Sequence, residues 1–358
     1  MPVRVIGMIG AAPPQGATLH VIAGGISPGF IREFAQAHEA AGFDMVLVGY
    51  YSSSAEGFNL AAFAAAHTQR LSFLIAHRPG VAAPSLAARS VATFDALTGG
   101  RLALHVIAGI SDAEQQGEGD FLPKEARYRR AAEYLSVMRR LWTETAPFDH
   151  EGEFYRLRGA FSAARPVQQP YPPLFFGGSS EGALAMGAEH CDVFAMYGEP
   201  LVETAARMAE FRARAAGFGR TPRFNMSFRP IIAPTEGAAW DKARRFLAEL
   251  QASGTLPATA QDRSAERILE IASRGDVHDE RLWMPIAVAA AAKGNTTCLV
   301  GTPEQVAQAM LRYYRLGIHS FLIRGFEPLT DAAEFGRELI PRLRAGALAI
   351  DRDMAAAA

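Results

Sequence analysis

Polar and cationic side chains lie at or near the ends of several apolar runs of this sequence. His77 and Arg78 close the third run, His105 lies near the end of the fourth, and two later runs carry Arg229 and Arg324. In parallel α/β folds, ligands bind at the carboxyl ends of the strands. Because a guanidinium binds carboxylate, phosphate or sulfonate with two hydrogen bonds, these residues predict a site for an anionic or oxygen-rich ligand. Structural roles stay open: an ion pair for His77 and Arg78, and a core histidine for His105.

A glycine- and serine-rich turn follows the fifth apolar run. Gly177 and Gly178 end the run, and Ser179 and Ser180 precede a segment that favours a helix. Glycines let the backbone approach a ligand closely, and the free N–H groups at a helix N-terminus favour a phosphate. The alternative is a tight turn in which Ser180 only caps the helix. No P-loop lysine follows, so the turn does not indicate a nucleoside triphosphatase.

Hydroxyl groups and aromatic rings follow the second apolar run, where Tyr50, Tyr51 and Ser54 offer contacts for a ligand. Motifs for metal-dependent or nucleophilic catalysis are missing from the sequence, which has no HExxH, no clustered Cys and His, and no GxSxG. We therefore expect no metal site, and we expect a cofactor to supply the reactive group.

The elements that would position these residues alternate along the chain. Eight strand-like runs are each followed by a helical segment, which predicts a (β/α)8 TIM barrel with insertions. A doubly wound open sheet is the alternative, but the GxGxxG fingerprint is missing after the first strand. We predict one barrel domain over residues 1–345, a helical insertion or lid at about 240–295, and a C-terminal tail at 346–358. Residues 148–157 predict a small hairpin, and the polar stretch 111–124 predicts a long loop.

Composition and charge exclude several classes of protein. The 358 residues carry 36 Lys and Arg against 37 Asp and Glu, so nothing indicates binding to nucleic acid or to a membrane surface. The two cysteines, Cys191 and Cys298, cannot make a disulfide framework, which favours a reducing compartment. No apolar stretch is long enough to span a membrane, and the N-terminal residues predict a strand rather than a signal peptide. We therefore expect a soluble, cytoplasmic protein.

Several motifs resemble those of the bacterial luciferase-like flavin monooxygenases: His77–Gly80, Ala87–Arg89, Ala92–Asp95 and Gly99–Arg101. Others are similar to motifs of the two-component alkanesulfonate monooxygenases: Arg127–Tyr128, Gln168–Ser180, Tyr197–Pro200 and Leu299–Gly301. The run from Gln168 to Ser180 is specific, and the resemblance covers roughly Val3 to Leu343.

This resemblance implies a (β/α)8 barrel that receives reduced FMN (FMNH2) from an NAD(P)H-dependent flavin reductase and uses it with O2 through a peroxyflavin. In the alkanesulfonate enzymes the oxygen attacks next to sulfur and releases sulfite and an aldehyde. Relatives often form dimers or tetramers, so a homodimer or homotetramer is expected here.

The family's flavin contacts carry over to matching positions of this sequence. His105 stands where the family usually has an asparagine, and Arg78 belongs to the shared Arg-Pro-Gly pattern. The other positions that the resemblance assigns to flavin binding are Tyr50, Tyr51, Glu114, Arg127, Tyr128, Gly178, Ser179 and Ser180.

Departures from the alkanesulfonate pattern fall where the substrate is expected. Ser54 replaces a cysteine, Tyr197 replaces a tryptophan, and Arg324 replaces a small residue. Ser227–Arg229 replaces an Arg-x-His motif. The candidate catalytic residues, which include cations to hold an anionic substrate, are therefore His77, Arg229, Arg324, Ser54 and Tyr197.

The expected activity is oxygenation of a small organosulfur compound, a sulfonate or a sulfone, with cleavage of its C–S bond. Two alternatives keep the barrel and change the chemistry: oxygenation of a carbonyl or amide compound, and hydride transfer with the deazaflavin F420. A catalytically inactive flavin- or partner-binding barrel is a further interpretation, because several family residues are replaced.

Overall fold

Eight parallel strands close into a barrel surrounded by helices in this computed structural model, as the sequence predicts. The structure describes residues 3–14, 18–19, 22, 25–109, 111–254, 256, 259–260 and 262–357. The strands are β1 Arg4–Ile9, β2 Met45–Val48, β3 Ser72–His77, β4 Leu102–Val106, β5 Phe148–Glu151, β6 Arg156–Ala160, β7 Leu174–Gly177, β8 Val193–Tyr197, β9 Arg223–Ile232, β10 Val277–His278, β11 Leu282–Trp283, β12 Cys298–Gly301 and β13 Ser320–Ile323.

The helices follow the strands in the expected alternation. They are α1 Pro28–Ala40, α2 Gly57–Ala65, α3 Pro84–Thr98, α4 Asp112–Gly117, α5 Lys124–Thr143, α6 Glu181–His190, α7 Leu201–Ala216, α8 Glu236–Ala252, α9 Arg263–Ala272, α10 Pro285–Ala289, α11 Pro303–Leu316, α12 Pro328–Glu334 and α13 Ile340–Ala357, with a π-helical turn at Phe335–Leu339. The barrel order is β13-β1-β2-β3-β4-β7-β8-β9, and β9 closes the ring by pairing with β13. Strands β5 and β6 form the predicted hairpin outside the barrel.

The barrel interior contains an apolar layer and, above it, a more polar one. The apolar layer consists of Ile6, Met45, Leu74, Ala103, Phe175, Val193 and Leu322. Side chains alternate along a strand, so the residues two positions further on also face inward. On four strands these are Met8, His105, Gly177 and Arg324. Polar and small residues thus face inward at the carboxyl ends of the strands.

The main core lies between the barrel wall and the helices. Phe73 and Ile75 on the outer face of β3 are fully buried, as are Leu135 and Met138 on α5. Burial of these apolar faces is the main stabilising contribution to such a fold. The outer face of each strand therefore packs against the helices, and functional side chains are expected on the inner face and in the loops.

Strand β9 belongs to two sheets. Its first half pairs with β8 and β13, and its second half pairs with β12, which is followed outward by β11 and β10. The sequence did not predict β12 as a strand. Together with α8, α9 and α10, this small sheet forms the region of the predicted insertion. That the insertion acts as a mobile lid stays a prediction.

Helices lie in two stretches where the sequence predicted none. The stretch 111–124 contains α4, which Ser111 caps by accepting a hydrogen bond from the Glu114 N–H group. Helix α13 continues to Ala357 with Ile350 buried, so the predicted tail from 346 lies inside a helix. No helix in the described part of the chain is long and apolar enough to cross a membrane.

Candidate active site

His105 faces the barrel interior at the carboxyl end of β4. Burial lowers the pKa of its imidazole to about 4, so the ring is neutral near pH 7. Its Nδ1 atom is buried and has no hydrogen-bond partner among the described residues. Gly177 lies directly beside the ring, since a Cβ atom there would lie 3.8 Å from Nε2 of His105. Buried polar atoms in native proteins are nearly always hydrogen-bonded, and a polar edge of a bound ligand would provide the partner that this nitrogen lacks.

The turn Gly178–Ser180 connects β7 to α6 at the same end of the barrel. Gly178 has a φ of +140°, and a Cβ atom there would lie 2.8 Å from Cβ of Ala183, so the turn requires glycine. Ser180 caps α6 by accepting a hydrogen bond from the Ala183 N–H group at 3.4 Å. Tyr128 on α5 is hydrogen-bonded to the Ser180 side chain, and burial raises the pKa of this tyrosine. The turn is thus both a helix cap and a cluster of hydroxyl groups.

Arg207 on α7 brings a cation to this turn. Its guanidinium donates hydrogen bonds to the Gly178 carbonyl at 3.1 Å and to the Ser179 hydroxyl. A further N–H group donates to Glu199 at 2.7 Å. Sequence reasoning missed Arg207 because it is 28 residues from Ser179 and belongs to no local motif. With this arginine, the turn has the composition of a phosphate site.

Helix α9 of the insertion reaches the same turn. The hydroxyl groups of Ser264 and Ser179 are 2.9 Å apart. Arg267 donates to both carboxylate oxygens of Glu199, each at 2.9 Å. Glu199 is only 2% exposed and therefore links α9 to Arg207. The insertion is thus tied to the turn by a buried ion-pair network.

Arg78 joins the loops that follow β2 and β4. Its guanidinium is 3% exposed and donates to Glu114 at 3.1 Å and to Glu118 at 2.5 Å. It lies 4.4 Å from the ring centre of Tyr50, whose hydroxyl donates to Glu118. The structure brings together Tyr50, Arg78 and Glu114, three predicted flavin contacts, and adds Glu118, which the sequence analysis missed. These residues bind one another, which fixes the positions of the two loops.

Arg127 at the start of α5 is bonded within the chain. Its guanidinium donates to the Leu122 carbonyl and to Asp112, both at 2.8 Å. The arginine is 2% exposed, and its Nε atom has no partner among the described residues. Contact between Arg127 and a cofactor stays a prediction.

Arg324 enters the barrel interior beside Met8. One terminal nitrogen lies 3.1 Å from the Met8 sulfur, and the other donates to the Asn295 carbonyl at 3.3 Å. Its Nε atom has no partner, and no carboxylate within the described ranges forms an ion pair with it. The positive charge lowers the pKa of both Tyr51 and Tyr197, although burial raises each pKa more. Arg324 thus acts electrostatically on both phenols, and Arg324, Tyr51 and Tyr197 are named the Arg324 corner.

Arg229 was predicted to hold the substrate, but it is fully enclosed. Its guanidinium donates to the backbone carbonyls of Asn295 at 3.1 Å and Gly325 at 2.9 Å. It also donates to the carbonyls of Thr18 and Leu19 in the segment after β1. The side chain is 1% exposed. The geometry favours a structural role over the substrate contact.

His77 and Ser54 were also predicted catalytic residues. His77 faces away from the barrel interior, and Ser54 bonds within its own turn. His77 is buried on the outer face of β3, with its Nε2 2.9 Å from the Tyr134 hydroxyl on α5. Ser54 donates to the Tyr51 carbonyl at 2.8 Å and closes a tight turn. Strand alternation explains the outward position of His77, because its neighbour Arg78 takes the opposite face. A catalytic role for His77 stays a prediction that this position does not favour.

Acid sensitivity should follow from the buried neutral histidines. Burial lowers the pKa of His77 and of His38 from 6.5 to about 4. Below pH 6.5 these histidines bind more protons in the unfolded chain than in the folded one. Their contribution to the free energy of unfolding is therefore constant above that pH and falls between pH 6.5 and 4. Each histidine contributes up to about 1.4 kcal/mol per pH unit. Urea unfolding of His77→Gln across this range should show a shallower slope than the parent, and an unchanged slope would contradict the assignment.

Comparison with known proteins identifies the family. The sequence model of the luciferase-like monooxygenases matches residues 8–320. This chain belongs to that family. EDTA monooxygenase (EmoA) from Chelativorans sp. BNC1 is 18% identical, with a TM-score of 0.77 over 96% of this chain and 94% of that chain. DmoA from Hyphomicrobium sulfonivorans is 19% identical, with a TM-score of 0.75 over 96% and 88%.

A third solved structure, riboflavin lyase (RcaE) with modified FMN and riboflavin, is 20% identical to this luciferase-like monooxygenase. Its TM-score is 0.76 over 96% of this chain and 92% of that chain. At such identities, the structural likeness shows the shared barrel fold. The family match makes the chain a member of a flavin-dependent monooxygenase group.

The side chains of this luciferase-like monooxygenase fit a phosphorylated flavin. The Gly178–Ser180 turn and Arg207 form a polar, cationic cradle, and His105 next to Gly177 offers a nitrogen that has no partner among the described residues. These two features suit the two ends of a flavin mononucleotide, its phosphate and its polar ring edge.

Proposed function

We propose that this protein is a monooxygenase that uses reduced FMN from a separate NAD(P)H-dependent flavin reductase and O2 as cosubstrate. We further propose that its substrate is a small organosulfur anion, with a sulfonate preferred over a sulfone. The observation that carries the proposal is Arg324, an inward-facing cation that lacks a carboxylate partner among the described residues.

The flavin half of the proposed site uses the turn and His105. Ser179, Ser180 and Arg207 would bind the phosphate, because hydroxyl and guanidinium groups donate to its oxygens. The neutral imidazole of His105 would hydrogen-bond the polar edge of the ring system. Reduced FMN, when bound, supplies the activation of O2.

The substrate half uses the corner around Arg324. A guanidinium can donate two parallel hydrogen bonds to a sulfonate, which fixes the orientation of the substrate. Lys293 lies 6.0 Å from the ring centre of Tyr51 and adds a second positive charge. Burial raises the pKa of Tyr197, so this phenol keeps its proton near pH 7 and can donate a hydrogen bond to the substrate.

The insertion would exclude water from this site. Ser264 contacts the phosphate-type turn, and Arg267 is tied to it through Glu199. We propose that α9 closes over the bound flavin as a lid, since closure of this kind protects reactive species from solvent. Hydrogen exchange in α9 should then slow when FMN binds.

Arg207→Gln should weaken the binding of FMN about tenfold and leave the binding of riboflavin unchanged. The variant removes a charged donor from the phosphate, and one charge-assisted hydrogen bond is worth about 1.5–3 kcal/mol. Fluorescence titration with both flavins measures the two affinities. Arg214→Gln is the matched control, since Arg214 pairs with Glu181 on the exposed side of α6. Equal losses for FMN and riboflavin would contradict phosphate binding here.

The function is tested by mixing protein loaded with chemically reduced FMN with O2 and a substrate panel. We expect release of sulfite from a short alkanesulfonate and formation of the matching aldehyde. Product from a carbonyl or amide compound without sulfite would instead support the alternative oxygenation. Retention of F420 in place of FMN would indicate hydride transfer. FMN binding without any product across the panel would refute the proposed activity.

A further inference from the structure

A cavity opens at the end of the barrel where the strands begin, opposite the candidate active site. Its volume is about 480 Å³, within the range of pockets that bind small molecules. Its apolar lining includes Ile6, Met45, Phe175 and Val193, which belong to the apolar interior layer. That layer separates this cavity from His105 and Arg324 above it. The cavity is therefore distinct from the candidate active site.

Cationic side chains surround the apolar part of this cavity. Arg4 and Arg223 lie on strand starts on either side of His319: the Arg4 N–H group bonds to the His319 carbonyl, and the His319 N–H group bonds to the Phe224 carbonyl. Burial lowers the pKa of His319, so its imidazole is neutral near pH 7. Neighbouring strands are about 4.8 Å apart, so Arg4 and Arg223 lie about 10 Å apart along the rim. Two guanidinium groups at that spacing can both reach one anionic group, because each side chain is long and flexible.

The carboxylates that line the cavity are already engaged. Glu39 accepts hydrogen bonds from three consecutive backbone N–H groups, those of residues 69–71. Asp44 accepts from the Val5 N–H group at 2.7 Å and from Arg344 at 2.9 Å. Arg4 and Arg223, by contrast, form no ion pair with a carboxylate in the parts of the chain that the structure describes. The cavity therefore carries unmatched positive charge beside an apolar floor.

We propose that this amino-terminal cavity binds an amphiphilic organic anion, a carboxylate with an alkyl or aryl body. The carboxylate lies between Arg4 and Arg223, and the apolar body rests on Ile6, Met45 and Phe175. Both parts of the ligand contribute binding free energy. A purely ionic ligand buries no apolar surface on the floor, and a neutral ligand forms no ion pair with the arginines. The site does not depend on the proposed oxygenase activity.

Octanoate is the probe, and isothermal titration of FMN-saturated protein is the measurement. We expect one equivalent of octanoate to bind saturably and more weakly as salt is raised. Octanol and inorganic sulfate, which each lack one half of the ligand, should bind at least tenfold more weakly. Saturable binding of neither octanoate nor its shorter homologue hexanoate would overturn the proposal.

The double variant R4Q/R223Q locates the site. Its affinity for octanoate should fall at least tenfold, because both anion donors are replaced by neutral amides. The single variants give the same comparison if the double variant does not fold. Arg32→Gln on the exposed face of α1 and Arg324→Gln at the opposite end of the barrel should leave the affinity unchanged. Loss of binding in Arg324→Gln, but not in R4Q/R223Q, would place octanoate at the active site and refute the second site.

Discussion

Arg324→Gln should lower kcat/KM for a sulfonate about 100-fold while FMN affinity stays within twofold. The guanidinium offers an anion its charge and a pair of donors, and loss of a buried charge-assisted contact costs about 2–3 kcal/mol, or a factor near 100. The phosphate-type turn is formed by β7, α6 and α7, so the substitution leaves it intact. Steady-state assays with a flavin reductase and a sulfite readout measure the loss.

Arg324→Lys is the control for charge against geometry. It keeps the positive charge but loses the planar fork, so we expect activity between that of the parent and that of the glutamine variant. A neutral sulfone should be oxygenated almost equally by all three proteins. If the sulfonate and the sulfone lose activity alike, Arg324 is not the anion contact, and the substrate half of the proposal fails.

The fold could be predicted from the sequence because its signal is repeated along the chain. Apolar runs such as Leu71–His77 and Leu102–Ile107 alternate with helical segments, and each forms its strand where expected. Strand β12 was missed because four residues, Cys298–Gly301, carry little periodicity and pair only with the far half of β9 and with β11. Helix α4 was missed because its polar composition resembles that of a loop. Short elements whose stability comes from distant partners escape sequence reasoning.

The candidate site could be predicted in part, for a related reason. The Gly178–Ser180 turn is local, and its backbone requirement can be read from the glycine itself. Arg207, Glu118 and Asn295 come from distant segments and form no motif with the residues they contact. Asn295 is the most instructive, since its carbonyl accepts hydrogen bonds from both Arg229 and Arg324.

Facing direction explains why His77, a predicted site residue, lies outside the barrel interior. His77 and Arg78 are consecutive, so only one of them can face the interior, and the apolar residues Phe73 and Ile75 share the outer face with His77. The outward position of His77 could have been read from the sequence. The enclosed position of Arg229 could not have been predicted from the sequence, because β9 leaves the barrel at this residue to pair with β12. Its hydrogen-bond partners are backbone carbonyls, and because every residue has one, no side-chain pattern in the sequence marks them.

Arg229→Met should lower the free energy of unfolding by about 3 kcal/mol or more. The guanidinium satisfies the carbonyls of Thr18, Leu19, Asn295 and Gly325. An unpaired buried polar group costs about 1–3 kcal/mol, so several orphaned carbonyls outweigh the relief of removing a buried charge. Burial lowers the pKa of Arg229 well below its usual value, because the charged guanidinium is removed from water. Urea unfolding measures the change.

Variants of Arg229 and Arg324 should separate an effect on stability from an effect on substrate binding. Both donate to the Asn295 carbonyl, yet Arg229 is 1% exposed with acceptors on all sides, whereas Arg324 has an unpaired Nε within the described structure. Arg324→Gln should therefore change the free energy of unfolding by less than about 1 kcal/mol. Arg229→Lys should recover only part of the lost stability, because an ammonium has three N–H donors and cannot satisfy all four carbonyls. A stable Arg229→Met variant that had lost sulfonate turnover would reverse the two roles and return Arg229 to the substrate.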